Sequence, residues 1–183
     1  IPTAPFRGQM TLPRELSLTK REGVYVLQQF PTLLKYFEGQ TSTLLQSGKL
    51  PKSFNGDTYA LRLEAVFNED FSLYLKSSSD YATLVRYDSK RQELYLDRSQ
   101  SGRTDFHKDF PSRVVAPFKT FDKKSFTLWI WIDRCSVEIV SEDGTVSMTN
   151  LIFPVEGSSG LWYEGQGIKR VEWFSTPTSP EVR

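Results

Sequence analysis

Short runs of alternating apolar and polar residues, each closed by a turn signal, recur along almost the whole chain. Tyr59, Leu61, Leu63 and Ala65 share one face of such a run. Phe71, Leu73 and Leu75 share a second, and Leu94 and Leu96 alternate with Tyr95 and Asp97 in a third. Phe126, Leu128, Ile130 and Ile132 alternate with Thr127, Trp129, Trp131 and Asp133. A period of two places successive side chains on opposite faces of an extended strand. Met10 to Leu18, Val24 to Gln28, Ala82 to Tyr87, Val137 to Val140, Val146 to Phe153, Leu161 to Glu164 and Ile168 to Phe174 read the same way. Turn residues such as Asn55-Gly56-Asp57, Asn68-Glu69-Asp70, Asp88-Ser89-Lys90, Ser101-Gly102 and Gly165-Gln166-Gly167 separate them. Glu142-Asp143-Gly144-Thr145 between two runs reads as a tight hairpin. Only one stretch, near residues 31–38, has helical spacing: Pro31, then Leu33, Leu34 and Phe37, closed by Gly39. One short helix among roughly a dozen strands predicts an all-β chain, a two-sheet antiparallel β-sandwich of the concanavalin or lectin type.

Composition narrows the function classes. Aromatic residues reach 14%, which favours strands. The net charge is +1 and the basic residues are scattered, which gives no support for a nucleic-acid partner or an acidic membrane. No apolar run approaches the ~18 residues of a membrane span. Cys135 and His107 are the only residues of their kinds, so a cysteine-based zinc site and a two-imidazole mechanism are excluded. No phosphate-binding glycine loop or nucleophile elbow occurs, and no cofactor or metal is expected. The chain opens Ile1-Pro2-Thr3-Ala4-Pro5, without Met and without a signal pattern, and reads as a piece of a longer parent.

Two local patterns could carry chemistry. Asp97-Arg98 and Asp133-Arg134 both end a hydrophobic strand. Each pair can cap a turn, or hold sugar hydroxyls with a carboxylate and a bidentate guanidinium. Trp129 and Trp131 lie on the face opposite Leu128 and Ile130, so that strand is covered on both sides. Their face either meets a second layer or domain, or forms a sugar-stacking platform. Trp162 and Trp173 read as core residues, Cys135 as a buried small residue, and His107 as a loop residue without a partner.

The motifs resemble a known family. Pro5-Phe6-Arg7-Gly8-Gln9-Met10-Thr11-Leu12-Pro13-Arg14-Glu15-Leu16-Ser17-Leu18 resembles the passage from catalytic β-propeller to C-terminal β-sandwich in glycoside hydrolase family 32. Those enzymes are the invertases, levanases, inulinases and related fructosyltransferases. Tyr87-Asp88 with Leu94-Tyr95-Leu96-Asp97-Arg98-Ser99-Gln100-Ser101-Gly102 resembles the middle motif of the sandwich. Ile132-Asp133-Arg134-Cys135-Ser136-Val137-Glu138-Ile139, then Asp143-Gly144 and Ile152-Phe153-Pro154, resembles its late motif. Phe6 stands where the family usually has Trp, Cys135 where Ser is usual, and Val140 where Phe is common.

The resemblance implies that residues 1–14 end the propeller, residues 15–175 form the sandwich and residues 176–183 are a tail. It implies a retaining β-fructosidase parent, with an Asp nucleophile and a Glu acid/base in the propeller. The chain contains no Asn-Asp-Pro, Arg-Asp-Pro or Glu-Cys, so no catalytic residue carries over. The implied role is a non-catalytic sandwich that packs on the propeller. The alternatives are a fructan-binding module, with Asp97, Arg98, Asp133, Arg134, Trp129 and Trp131 as candidates, or one chain of a split enzyme. The implied partners are the N-terminal propeller, fructan or sucrose, and a second copy of the chain. The implied setting is extracellular, although intracellular sucrose-cleaving relatives exist.

Overall fold

A computed structural model describes residue 2 and residues 8–54, 56–119 and 123–176. The start of the propeller-exit motif, Asn55 of the first turn signal and tail residues 177–183 lie outside the described residues. The chain begins with an antiparallel hairpin of β1 (Arg14–Arg21) and β2 (Val24–Pro31). Its connection, Glu22-Gly23, has positive φ at both residues (48° and 83°), which matches the twist of the two strands. One helical turn, α1 (Leu34–Phe37), and the two-residue β3 (Thr43–Leu44) follow. Pro31 therefore ends a strand instead of opening the helix, and the expected helix shrinks to a single turn.

The remaining strands build the predicted sandwich. They are β4 (Tyr59–Val66), β5 (Phe71–Ser77), β6 (Thr83–Asp88), β7 (Glu93–Asp97), β8 (Arg113–Pro117), β9 (Ser125–Ile132), β10 (Ser136–Ser141), β11 (Ser147–Leu151), β12 (Gly160–Glu164) and β13 (Ile168–Ser175). A six-stranded sheet has the order β11-β10-β9-β4-β13-β3, and a five-stranded sheet the order β12-β5-β6-β7-β8. All pairings in both are antiparallel. The sequence pattern missed β3 and β8. β3 is too short to show a period, and β8 is an edge strand that exposes Val114 and Val115.

The alternation predicted which residues meet between the sheets. Leu61, Leu63, Leu128 and Ile130 from one sheet and Leu73, Leu75, Val85 and Leu96 from the other are completely buried in one cluster. Burying each such side chain stabilises the fold by roughly 1.5–3 kcal/mol. At one end of the core Phe67, Phe118 and Phe126 pack edge to face or tilted, with ring centroids 4.5–5.3 Å apart. The hairpin belongs to neither sheet. It forms a two-stranded sheet of its own.

Candidate functional site

The six candidate residues fall in three different environments. Trp131 is buried and Trp129 half-buried. Both lie on the outer face of the six-stranded sheet, where Trp129 stacks on Phe37 of α1 at 5.8 Å and packs on Phe174 at 5.3 Å. With Ala60, Val140, Leu12, Leu33 and Leu34 they form a second apolar cluster. The side chains that follow β2 thus cover the face that could have been a sugar platform. An outer layer, the first of the two readings of this face, describes what the chain does with it.

The two Asp-Arg pairs differ. Arg98 turns into the loop that follows β7. Its Nε donates to Ser112 Oγ at 3.0 Å, Nη1 donates to the Leu151 carbonyl at 3.1 Å, and the guanidinium lies over Phe110 at 4.2 Å. Gly102 in the same loop sits against Phe153 and Pro154, where a Cβ would come within 2.4 Å of the Phe153 carbonyl oxygen. Arg103 N donates to that same carbonyl. The middle and late motifs thus meet as a structural joint, and Arg98 is one of its pins. Asp97 separates from its neighbour and lies on the outer face of the five-stranded sheet. Its Oδ1 accepts from the backbone N and the hydroxyl of Ser99.

Asp133 and Arg134 are exposed in the β9–β10 turn. Asp133 Oδ1 accepts from the Arg134 backbone N at 2.7 Å, and Arg134 Nε lies 3.8 Å from Asp57. That is a turn with a loose surface ion pair. His107 is exposed and Cys135 half-buried, with Gln9 Nε2 directed at its Sγ. Trp173 is in the core as expected. Trp162 is not: it lies on the surface, 37% exposed.

The sequence pattern did not single out the most unusual surface, which is the hairpin. Leu16, Leu18, Leu27 and Tyr25 line one face of it by register and are 46–70% exposed. Val24, on the other face, is 65% exposed. Two strands alone are marginally stable in water, so this ribbon needs neighbours. On the sandwich side a polar joint supplies some. Arg14 donates to Glu138, Thr149, Ser147 and Gln29 at 2.6–3.1 Å, and Glu138 also accepts from Leu12 N. At the far end Arg21 pairs with Asp143, Gln28 Nε2 donates to the Asp143 carbonyl, and Gln29 N donates to the Gly144 carbonyl. Gly144 has φ +71°, and a Cβ there would come within 2.9 Å of the Phe30 ring. Glycine both makes the turn and lets the hairpin seat.

Asp143 makes this joint sensitive to acid. Burial pushes its carboxyl up. Hydrogen bonds from Ser141, Thr145 and Arg21 outweigh that and hold it below the ordinary carboxylate value. A lowered folded value stabilises the fold at pH above the unfolded value of about 4, and the effect fades as pH falls further. Asp143→Asn is therefore expected to be less stable than the parent at neutral pH and to lose that difference below about pH 4. Urea unfolding midpoints across the acid range check this. A difference that does not change with pH would sink it.

Comparisons with known proteins agree with one another. Residues 33–176 match the family model described as the C terminal of glycosyl hydrolases family 32. A levanase from Bacillus subtilis is 32% identical over 173 residues, a match that covers 88% of this chain and 25% of the relative. An extracellular exo-inulinase from Aspergillus niger is 30% identical over 168 residues, covering 84% of this chain and 31% of the relative. The crystal structure of an exo-inulinase from Aspergillus awamori superposes with a TM-score of 0.79 at 26% identity, over 94% of this chain and 36% of the other. The chain thus spans about a quarter to a third of the length of these relatives.

Proposed function

The chain belongs to the C-terminal family of glycosyl hydrolase family 32, and from that premise we propose that it is the accessory sandwich of a β-fructosidase. Its partner is a catalytic propeller that hydrolyses sucrose or fructans, and its role is to cover and stabilise that domain. The observation that carries this reading is the hairpin. Leu16, Leu18, Tyr25 and Leu27 present an apolar face to solvent on a ribbon that has no third strand among the described residues. A contiguous exposed apolar face marks an interaction surface, and a lone ribbon gains most by completing a sheet in a neighbour.

The separate hairpin sheet supports a domain boundary after β2, as an alternative to one at residue 14. The family match beginning at residue 33 favours the same division. Residues 14–31 then travel with the propeller, α1 and the tryptophan cluster form the hinge layer, and the sandwich proper starts near β3. The extracellular exo-inulinase among the relatives favours a secreted parent.

The test is fructose release from sucrose, inulin and levan. The chain alone is expected to release none, because it contains none of the Asn-Asp-Pro, Arg-Asp-Pro or Glu-Cys motifs. Joined to its propeller it is expected to be active, and the propeller is expected to melt at a higher temperature with the chain than without it. Release by the chain alone, or a propeller whose melting is indifferent to the chain, would overturn the reading.

A further inference from the structure

Across the core from the tryptophan cluster, the outer face of the five-stranded sheet carries a row of paired residues. Trp162 of β12 pairs with Tyr74 of β5, Tyr74 with Leu84 of β6, and Leu84 with Asp97 of β7. All four side chains fall on the solvent side, because their neighbours Leu161, Leu73, Leu75, Val85 and Leu96 fill the core. With the segment after β5, this row lines an open depression of about 340 Å³. Nothing in the docking role of the domain uses it.

Its chemistry is selective. The Trp162 and Tyr74 rings stack in parallel, with centroids 3.7 Å apart and planes 7° from parallel. Tyr74 is held from its far end, where its hydroxyl donates to Glu164 at 2.9 Å. The aromatic pair is thus a fixed wall, although Trp162 is 37% exposed. Tyr81, also 36% exposed, lines the same depression. Asp97 Oδ1 is engaged by Ser99, which fixes the carboxylate. Its Oδ2 takes no hydrogen bond among the described residues. Asp80, Gln100 and several serines add to the polar part, and neither lysine nor arginine lines the depression.

We propose that this depression is a carbohydrate-binding site for a neutral saccharide, with Trp162 and Tyr74 packing against C–H groups and Asp97, Asp80 and Gln100 taking hydroxyls. Apolar walls with a few convergent polar groups are the usual composition of a small-ligand site. Two carboxylates without a cation disfavour phosphorylated or other anionic ligands. A carboxylate accepting from a sugar hydroxyl makes the stronger, charge-assisted kind of hydrogen bond. The sugar is a fructan if the β-fructosidase reading holds; the site itself does not depend on that reading. It gives the sandwich a second role, keeping a polymeric substrate near the propeller from a face that docking leaves open.

The experiment is affinity electrophoresis of the chain in gels containing levan, inulin or, as an unrelated neutral glycan, a soluble β-glucan. Levan or inulin is expected to retard the wild-type chain. Trp162→Ala and Asp97→Asn are expected to weaken that retardation at least tenfold, and Asp133→Asn is expected to leave it unchanged. Each variant is checked for an unchanged thermal melt. If Trp162→Ala fails to fold, Tyr81→Ala replaces it. Retardation by the β-glucan alone, lost in the same variants, would support the site and remove its fructan assignment. No retardation by any glycan, or retardation untouched by the Trp162 and Asp97 substitutions, would overturn the proposal.

Discussion

Glu138→Ala is expected to lower the unfolding free energy by roughly 3–5 kcal/mol, the typical cost of removing one partner from a buried ion pair. The Glu138 side chain is 8% exposed and that of Arg14 13%, and their atoms approach to 2.6 Å. Removing the carboxylate leaves the Arg14 guanidinium buried without its counter-charge. It also leaves Leu12 N and Thr149 Oγ1 without this acceptor. Each loss adds a desolvation cost that water cannot readily relieve. Because Arg14 opens β1, the substitution also loosens the hairpin from the sandwich. Glu138→Gln keeps an acceptor but not the charge and is expected to fall between the two. Urea unfolding of the three proteins measures this. A loss under about 1 kcal/mol, the size of a surface pair, would mean that the joint does not hold the hairpin.

The strands that build the sandwich were legible because one of their faces is buried. Leu61, Leu63 and Ala65 must share a face if that face is to be dry, and slipping by one residue would expose all three. The hairpin strands also alternate, but there the pattern concealed the important fact. Leu16 and Leu18 alternate with polar neighbours as the core strands do, yet they are 63% and 68% exposed. Periodicity says which side chains share a face and not whether anything covers it.

The tryptophans show the same limit. Trp129 and Trp131 could be assigned to the face opposite the core, but only the fold puts Phe37 and Phe174 over them. Trp162 was read as core, although Leu161 and Tyr163 on either side already fill the inward positions. Strict alternation along β12 would have turned it outward. The two Asp-Arg pairs are identical as dipeptides and part ways through distant residues. Phe110 and the Leu151 carbonyl capture Arg98, whereas among the described residues Arg134 has only Asp57 within ion-pair reach. No local signal distinguishes them.

Replacing Leu16, Leu18 and Tyr25 together by serine is expected to remove the docking energy of the hairpin while leaving the sandwich intact. These three side chains are 63%, 68% and 70% exposed, so they contribute little to the stability of the chain alone. If a partner covers them, each adds part of the roughly 1.5–3 kcal/mol that burying a large apolar side chain supplies. For three the loss is on the order of 4 kcal/mol, which corresponds to about a thousandfold in an association constant. The isolated chain reads this out directly. With its apolar face and open strand edges uncovered, the wild-type chain is expected to self-associate in sedimentation experiments. The triple variant is expected to sediment as a monomer with an unchanged thermal melt. If the proposed propeller partner holds the catalytic groups, the same three substitutions in the joined protein are expected to lower the melting temperature of the propeller without altering fructose release at low temperature. A wild-type chain that stays monomeric at every attainable concentration, together with a joined protein indifferent to the triple substitution, would show that this face covers nothing. The stabilising contact would then have to lie on another surface of the sandwich.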